Sequence, residues 1–224
     1  VLEANLELVR QGLVTLTWGN ASGIADDRSC VAIKPSGMGY EALTAADIVL
    51  VDLDGAVVDG ELRPSSDTPT HLELYRSFAD IGGVAHTHSA RAVAFAQARR
   101  EIPCLGTTHA DHFHGPVPVT RVLRADEVGE AYEHYTGRAI VERFDRLDPV
   151  AIPGVLVAGH GPFTWGDDVG AAVRNAVALE AVAGLAIDTL ALDPQVRSLE
   201  GWILDKHHAR KHGPDAYYGQ PDED

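Results

Sequence analysis

The chain has 224 residues, of which 45% are hydrophobic, and a formal net charge of −15. That length and apolar content suit one α/β domain with a real core, or at most two small ones. The charge sets the protein against nucleic acid and anionic membrane, so neither is expected as a partner, and an anionic substrate would need a local positive pocket.

Residues 1–11 are predicted to form an amphipathic helix, with Leu2, Leu6 and Val9 on one face and Gly12 as its stop. Residues 13–18 read as a strand, and Gly19-Asn20-Ala21-Ser22-Gly23 as a turn of small residues. Residues 30–33 read as a short strand running into Lys34-Pro35-Ser36-Gly37. Residues 48–53 form a strand, Asp54-Gly55 is a hairpin signal, and 56–58 is its return. Thr68 is a good N-cap and Pro69 a good first helical residue; Leu72, Tyr75 and Phe78 follow at helical spacing. Gly82-Gly83 breaks that pattern. A short apolar strand then ends in His86-Thr87-His88, and Ser89 can cap a helix over 90–100.

The stretch 102–115 is less regular and dense in hydrogen-bonding side chains. Residues 126–144 read as a long helix weakened at Gly129 and Gly137. Residues 155–158 are a buried-type strand that ends at Gly159-His160-Gly161-Pro162. Asp167 or Asp168 caps a long apolar helix to about residue 192; 194–212 is a last helix, and a tail runs from about 213 to 224. The hairpin and the clustered early strands imply antiparallel pairs. The expected fold is a single α/β domain over 1–224, with a mixed, largely antiparallel central sheet and helices on both faces. Cys30 and Cys104 match no Cys-x-x-Cys pattern, which points to a reducing compartment. With no signal peptide and no apolar run of membrane-spanning length in view, a cytoplasmic location is expected.

Side chains alternate along a strand, so His86 and His88 project to the same side and make half of a metal site. His160 sits where a buried strand meets a Gly-Pro turn, a usual place for a site residue in α/β folds. Three neutral imidazoles leave a zinc-like ion an open position for a substrate oxygen. Asp67, just ahead of a helix, could add a carboxylate or simply serve the helix end. Ser65 and Ser66 precede the same helix, and Lys34 with Ser36-Gly37 makes a second small-residue loop carrying one positive charge. Hydroxyls, backbone N–H groups and a lysine are what a phosphate needs, although neither loop has the spacing of a nucleotide P-loop.

Seven segments occur in one order: Thr17-Trp18-Gly19-Asn20-Ala21-Ser22, Lys34-Pro35-Ser36-Gly37, the run from Pro64 to His71, His86-Thr87-His88-Ser89, the run from Gly106 to Asp111, the run from His160 to Gly166, and the stretch from Lys211 to Gln220. Together they resemble the L-ribulose-5-phosphate 4-epimerases of the class II aldolase/epimerase superfamily, over nearly the whole chain. The resemblance implies His86, His88 and His160 as metal ligands with Asp67 as the nearby carboxylate. The implied cofactor is a divalent metal, zinc in most members, with manganese also open. It implies Asn20, Lys34, Ser36, Gly37, Ser65 and Ser66 as phosphate-binding positions. It implies Asp111 and Tyr218 as an acid/base pair reaching in from the neighbouring subunit, with Thr107 from the same side and Glu133 and His207 in support. The implied assembly is a fourfold-symmetric homotetramer acting on a small sugar phosphate.

The chemistry fits independently. The hydrogen on C4 of a 2-ketopentose is not next to the carbonyl, so its direct removal leaves an unstabilised carbanion. Breaking the C3–C4 bond places those electrons in an enediolate that a divalent cation can stabilise. The released glycolaldehyde phosphate must turn, present its other face and be attacked again, which demands a phosphate anchor and a proton donor or acceptor on each side. The nearest rival is a superfamily aldolase of the fuculose-1-phosphate type, which resembles this chain in its histidines but carries a glutamate as general base where Asp67 stands. A more distant rival is a non-catalytic interaction module, and such relatives lack the metal ligands. His71 is expected to pack on its helix. His112 and His114 stand where the family often has aromatic residues and are expected to line the loop, with an adventitious second metal the other reading. His208 and His212 suit a helix C-terminus, and Phe163 and Trp165 are expected to pack the turn that orients His160.

Overall fold

The computed structural model describes residues 1–213 and 216–218. Seven strands form one sheet in the order β4-β3-β2-β1-β5-β7-β6. They are β1 (Gly19–Ile24), β2 (Val31–Ile33), β3 (Val49–Val51), β4 (Val57–Asp59), β5 (Gly83–Thr87), β6 (Gly154–Leu156) and β7 (Pro162–Gly166). The expected fold class is observed, with one refinement: every ladder between these strands is antiparallel. The parallel contact among the described residues is the isolated bridge between Val119 and Leu156.

Register assigns the two faces. Asn20, His86 and Phe163 form one row across β1, β5 and β7; Ser22, Val84 and Trp165 form the row two residues away on the same face. Helix α2 (Thr68–Ser77) covers that face. Tyr75 Oη donates to Ser22 O at 2.9 Å, and His71 Nδ1 lies 2.7 Å from Ser22 Oγ. His71 therefore bonds to the sheet beneath its helix. The opposite face presents Ala21, Ala85 and Thr164 to α1 (Leu2–Arg10) and α6 (Val169–Leu192). Ala4, Leu8, Ala172, Val173 and Ala176 pack there, and Thr164 Oγ1 donates to Ala172 O at 2.8 Å.

Small residues decide where the middle of the sheet lies. The predicted strand over 13–18 is instead a tight turn, with Leu16 in the left-handed region at φ 54° and Trp18 N donating to Thr15 O at 3.1 Å. The predicted turn of small residues is the central strand β1. Ala21 lets α1 come close enough for the Asn5 side chain to bond both its N–H and its C=O, each at 2.9 Å. A larger side chain would hold that helix off, so packing overrides strand propensity here. Gly82-Gly83 is likewise a close approach: a Cβ on Gly83 would stand 2.3 Å from Val169 Cα.

Other boundaries move. Asp67, not Thr68, occupies the N-cap of α2, because Thr68 Oγ1 is committed to Ser65 O at 2.6 Å. Helix α3 is Ala90–Ala98, stopped by Arg99 at φ 55°. The irregular stretch contains one turn of helix, α4 (Thr107–Ala110). The long helix predicted over 126–144 begins only at α5 (Tyr132–Arg143). The last helix, α7, is Gly201–His212, because the chain before it is drawn across to Cys104 O by Leu199 N at 2.9 Å. Phe163 and Trp165, expected to pack the turn that orients His160, lie in strand β7, with the Phe163 ring centre 6.3 Å from that of His160. Helix α6 is long and apolar enough by length and composition to cross a membrane, which corrects the expectation that no such run exists. Its buried Ala172, Val173, Ala176, Leu179, Val182 and Ala183 make it a core helix here.

Candidate functional site

His86 is in β5 and His88 one residue past its end. His160 comes from the turn between β6 and β7, which is closed by Val157 N to Gly161 O and His160 N to Val157 O, each at 2.9 Å. Gly161 is needed there, since a Cβ would stand 2.8 Å from Thr87 O. That approach brings the turn onto the end of β5. The ligand atoms of His86, His88 and His160 lie within 4.8 Å of one another, and His86 Nε2 is 3.2 Å from His88 Nε2. His86 Nδ1 donates to Pro162 O at 2.9 Å, which leaves Nε2 with its lone pair toward the cluster. Phe163 stacks on the same ring at 4.1 Å and 15°. Burial, with His86 and His88 alongside, lowers the His160 pKa to about 4, so it is neutral at pH 7. Three converging imidazoles with one orientation fixed by a backbone carbonyl fit a divalent ion of the zinc class. No second such group occurs among the described residues, and His112 and His114 form none.

Asp67 faces this cluster across β1. Asn20 Nδ2 donates to Asp67 Oδ2 at 2.7 Å and to Ser65 Oγ at 3.1 Å. Burial alone would raise the Asp67 pKa, but His86, His71 and the Asn20 bond outweigh it and hold the carboxyl below its ordinary range. A cavity of about 570 Å³ opens beside the cluster. Its wall carries Asn20, Lys34, Ser36, Gly37, Ser65 and Ser66, as well as Asp67, His88, Glu133 and His160. Lys34 is buried, its Nζ 2.6 Å from Met38 O and 4.7 Å above the Tyr40 ring, and burial lowers its pKa. Gly37, at φ 68°, has nothing within 4 Å of where a Cβ would stand, so the backbone is open on that side. The cavity thus brings one lysine, three serine hydroxyls and an open stretch of backbone together with the carboxylates of Asp67 and Glu133.

The remaining expected residues gather elsewhere. Asp111 follows α4. Its Oδ1 accepts from Arg210 Nε at 2.9 Å and lies 3.0 Å from His207 Nδ1, and its Oδ2 accepts from Arg210 Nη2 at 2.5 Å. Burial would raise its pKa, but the bonds from Arg210 and His207 prevail and hold it down. Tyr218 lies against the end of α7, with Lys211 Nζ 4.3 Å from its ring centre. Thr107 opens α4, and its carbonyl accepts from Asp111 N at 2.9 Å. None of Asp111, Thr107, His207 and Tyr218 lines the cavity. Gly219 and Gln220, part of the last motif, lie outside the described residues.

Three residues escaped the sequence reading. Trp18 forms part of the cavity wall and stands out in the sequence only as one member of a motif. Tyr132 also lines it, 3.4 Å from His160 Nδ1 through its hydroxyl, and no local pattern announces it. Arg210 grips Asp111, and its spacing three residues after His207 on one helix was the available signal.

The model of the Class II Aldolase and Adducin N-terminal domain matches residues 1–187. Among solved structures, an L-fuculose 1-phosphate aldolase superposes with TM-score 0.79 at 23% identity, over 93% of this chain and 92% of that one. YgbL from Klebsiella pneumoniae gives TM-score 0.73 at 22% identity, over 92% and 95%. The L-fuculose-1-phosphate aldolase from Thermus thermophilus gives 0.68 at 23%, over 86% and 94%. At these identities the superpositions speak for the fold. With more than half of its length matched, this chain belongs to the class II aldolase and adducin N-terminal domain family.

Proposed function

We propose that this protein is a cytoplasmic, metal-dependent L-ribulose-5-phosphate 4-epimerase. It inverts C4 to give D-xylulose 5-phosphate by breaking and re-forming the C3–C4 bond. The observation that carries this reading is the convergence of His86, His88 and His160 beside a cavity whose wall also bears Lys34 and the two serine loops.

A divalent ion held by His86, His88 and His160, with Asp67 alongside, supplies Lewis-acid polarisation of the substrate's oxygens; zinc is the first choice and manganese the second. Lys34, Ser36, Gly37, Ser65, Ser66 and Asn20 hold the phosphate, so the aldehyde fragment turns without escaping. Asp111 and Tyr218 hold or release a proton on opposite sides of that aldehyde. Arg210 and His207 hold the Asp111 pKa below its ordinary range, so it is ionised at neutral pH. Thr107 steadies the substrate from the same side, and Glu133 and His207 orient their neighbours. Since the Asp111 group does not line its own chain's cavity, the complete site forms between subunits of a fourfold homotetramer. Helix α7 has no buried residue and leaves Trp202 74% exposed, which suits a face that packs on a neighbour.

The second reading is a fuculose-1-phosphate type aldolase, favoured by the names of two of the superposed structures. Asp67 favours the epimerase. It is one methylene shorter than the aldolase glutamate and is tied to Asn20 at 2.7 Å, so it is poorly placed to take a proton from substrate. Incubation with L-ribulose 5-phosphate should give xylulose 5-phosphate without free aldehyde, and chelation should stop it. Cleavage of L-fuculose 1-phosphate with no epimerisation would overturn the assignment.

A further inference from the structure

We infer that Tyr132 is a positioning residue for the metal centre: its hydroxyl oxygen receives the Nδ1 proton of His160 and leaves Nε2 free to face His86 and His88. The inference rests on the reading of the three histidines as a metal centre. Tyr132 Oη lies 3.4 Å from His160 Nδ1, with the ring centres 6.1 Å apart. That is long for a hydrogen bond. His86 shows the same arrangement in finished form, its Nδ1 donating to Pro162 O at 2.9 Å. A metal-binding imidazole whose other nitrogen is occupied has its tautomer and its ring direction fixed. The opposite arrangement, with the phenol donating to Nδ1, puts the proton on Nε2 and blocks the centre.

The placement of Tyr132 is built rather than incidental. It is the first residue of α5, and the start of that helix is fastened to α2 by Thr70 Oγ1 donating to Glu133 O at 2.6 Å. One turn further on, Gly137 lets the two helices touch, since a Cβ there would stand 2.7 Å from Glu73 Cβ. The N-cap of α2 is Asp67. One helix pair thus sets both the carboxylate beside the centre and the phenol behind it.

The test is Tyr132→Phe, which keeps the ring and its packing and removes only the oxygen. Zinc affinity of the full chain, measured by competition with a chromophoric chelator, should weaken roughly 10- to 100-fold, a range typical of lost outer-sphere partners. Thermal unfolding of the metal-free variant should match wild type. Unchanged zinc affinity in the variant, beside tight binding by wild type, overturns this inference and leaves the metal reading standing. A wild-type protein that binds no divalent ion overturns both. If the variant fails to fold, nitrogen NMR of the zinc-loaded wild type decides. A proton on His160 Nδ1 supports the assignment, and coordination through Nδ1 refutes it.

Discussion

Two groups of polar side chains in this molecule are held in opposite ways. The imidazole cluster is set into the sheet: Asn20, His86 and Phe163 share one row, and His160 rides a turn that needs Gly161 to reach it. The Asp111 group hangs on α7, a helix with no buried residue, and is held by charge-assisted bonds from Arg210 and His207. Strand register and a close-packed turn fix the first. The second depends on partners that water can replace. Under the proposed function, the half set into the sheet binds and the half attached to α7 moves protons.

The sharpest way to break that division is to remove one group and watch the other. His160→Ala should drop zinc content from about one per chain to near zero and abolish turnover, read by elemental analysis and a coupled assay. Asp111→Asn should keep its zinc while turnover falls about 10²- to 10⁴-fold, the range of a lost acid/base group. Zinc loss in Asp111→Asn would mean that the two groups are one unit. Co-expression of the two variants should restore activity, because mixed oligomers contain contacts with one intact group of each kind. No recovery would end the idea of sites shared between subunits.

Stability should separate the regions too. Gly83→Ala forces a Cβ to 2.3 Å from the Val169 backbone and should cost about 1–3 kcal/mol in urea unfolding. Trp202→Ala on exposed α7 should change the chain's own stability by less than about 0.5 kcal/mol, with its effect appearing instead in the oligomeric state by ultracentrifugation. Stability should also depend on pH. Burial lowers His71 to about 3 and His109 to about 4. Their folded values lie below the unfolded value of about 6.5, so the unfolded chain takes up protons first. Stability should hold above pH 6.5 and decline as pH falls from there toward 4, with the urea midpoint moving down. A midpoint that stays flat over that window would show these imidazoles are not buried neutral.

Much of the centre was legible in linear order. His86-Thr87-His88 states its own geometry, because a strand has period two, and Lys34-Pro35-Ser36-Gly37 states its own openness, because Gly37 takes a positive φ. Tyr132 was not legible. Twenty-eight residues separate it from His160, and nothing around it distinguishes it from an ordinary helical tyrosine. The exchange of turn for strand at residues 13–23 has the same root. Propensity describes a residue's own backbone, whereas Ala21 is in the sheet because of what packs against it.

The sequence by itself determined which chemistry is on offer: three imidazoles, a lysine between small residues, paired serines before a helix, and a hairpin that commits the sheet to antiparallel pairing. Only the tertiary structure decided which of these meet. It set His160 beside His86, kept Asp111 apart from both, and gave helix α3 its cap from Glu180, whose carboxylate accepts from Arg91 N and Ala92 N at 2.9 Å each. The physical reason is range. Dihedral preferences and side-chain periodicity act over a few residues, while a donor set is assembled by strand register and close packing between segments far apart in the chain.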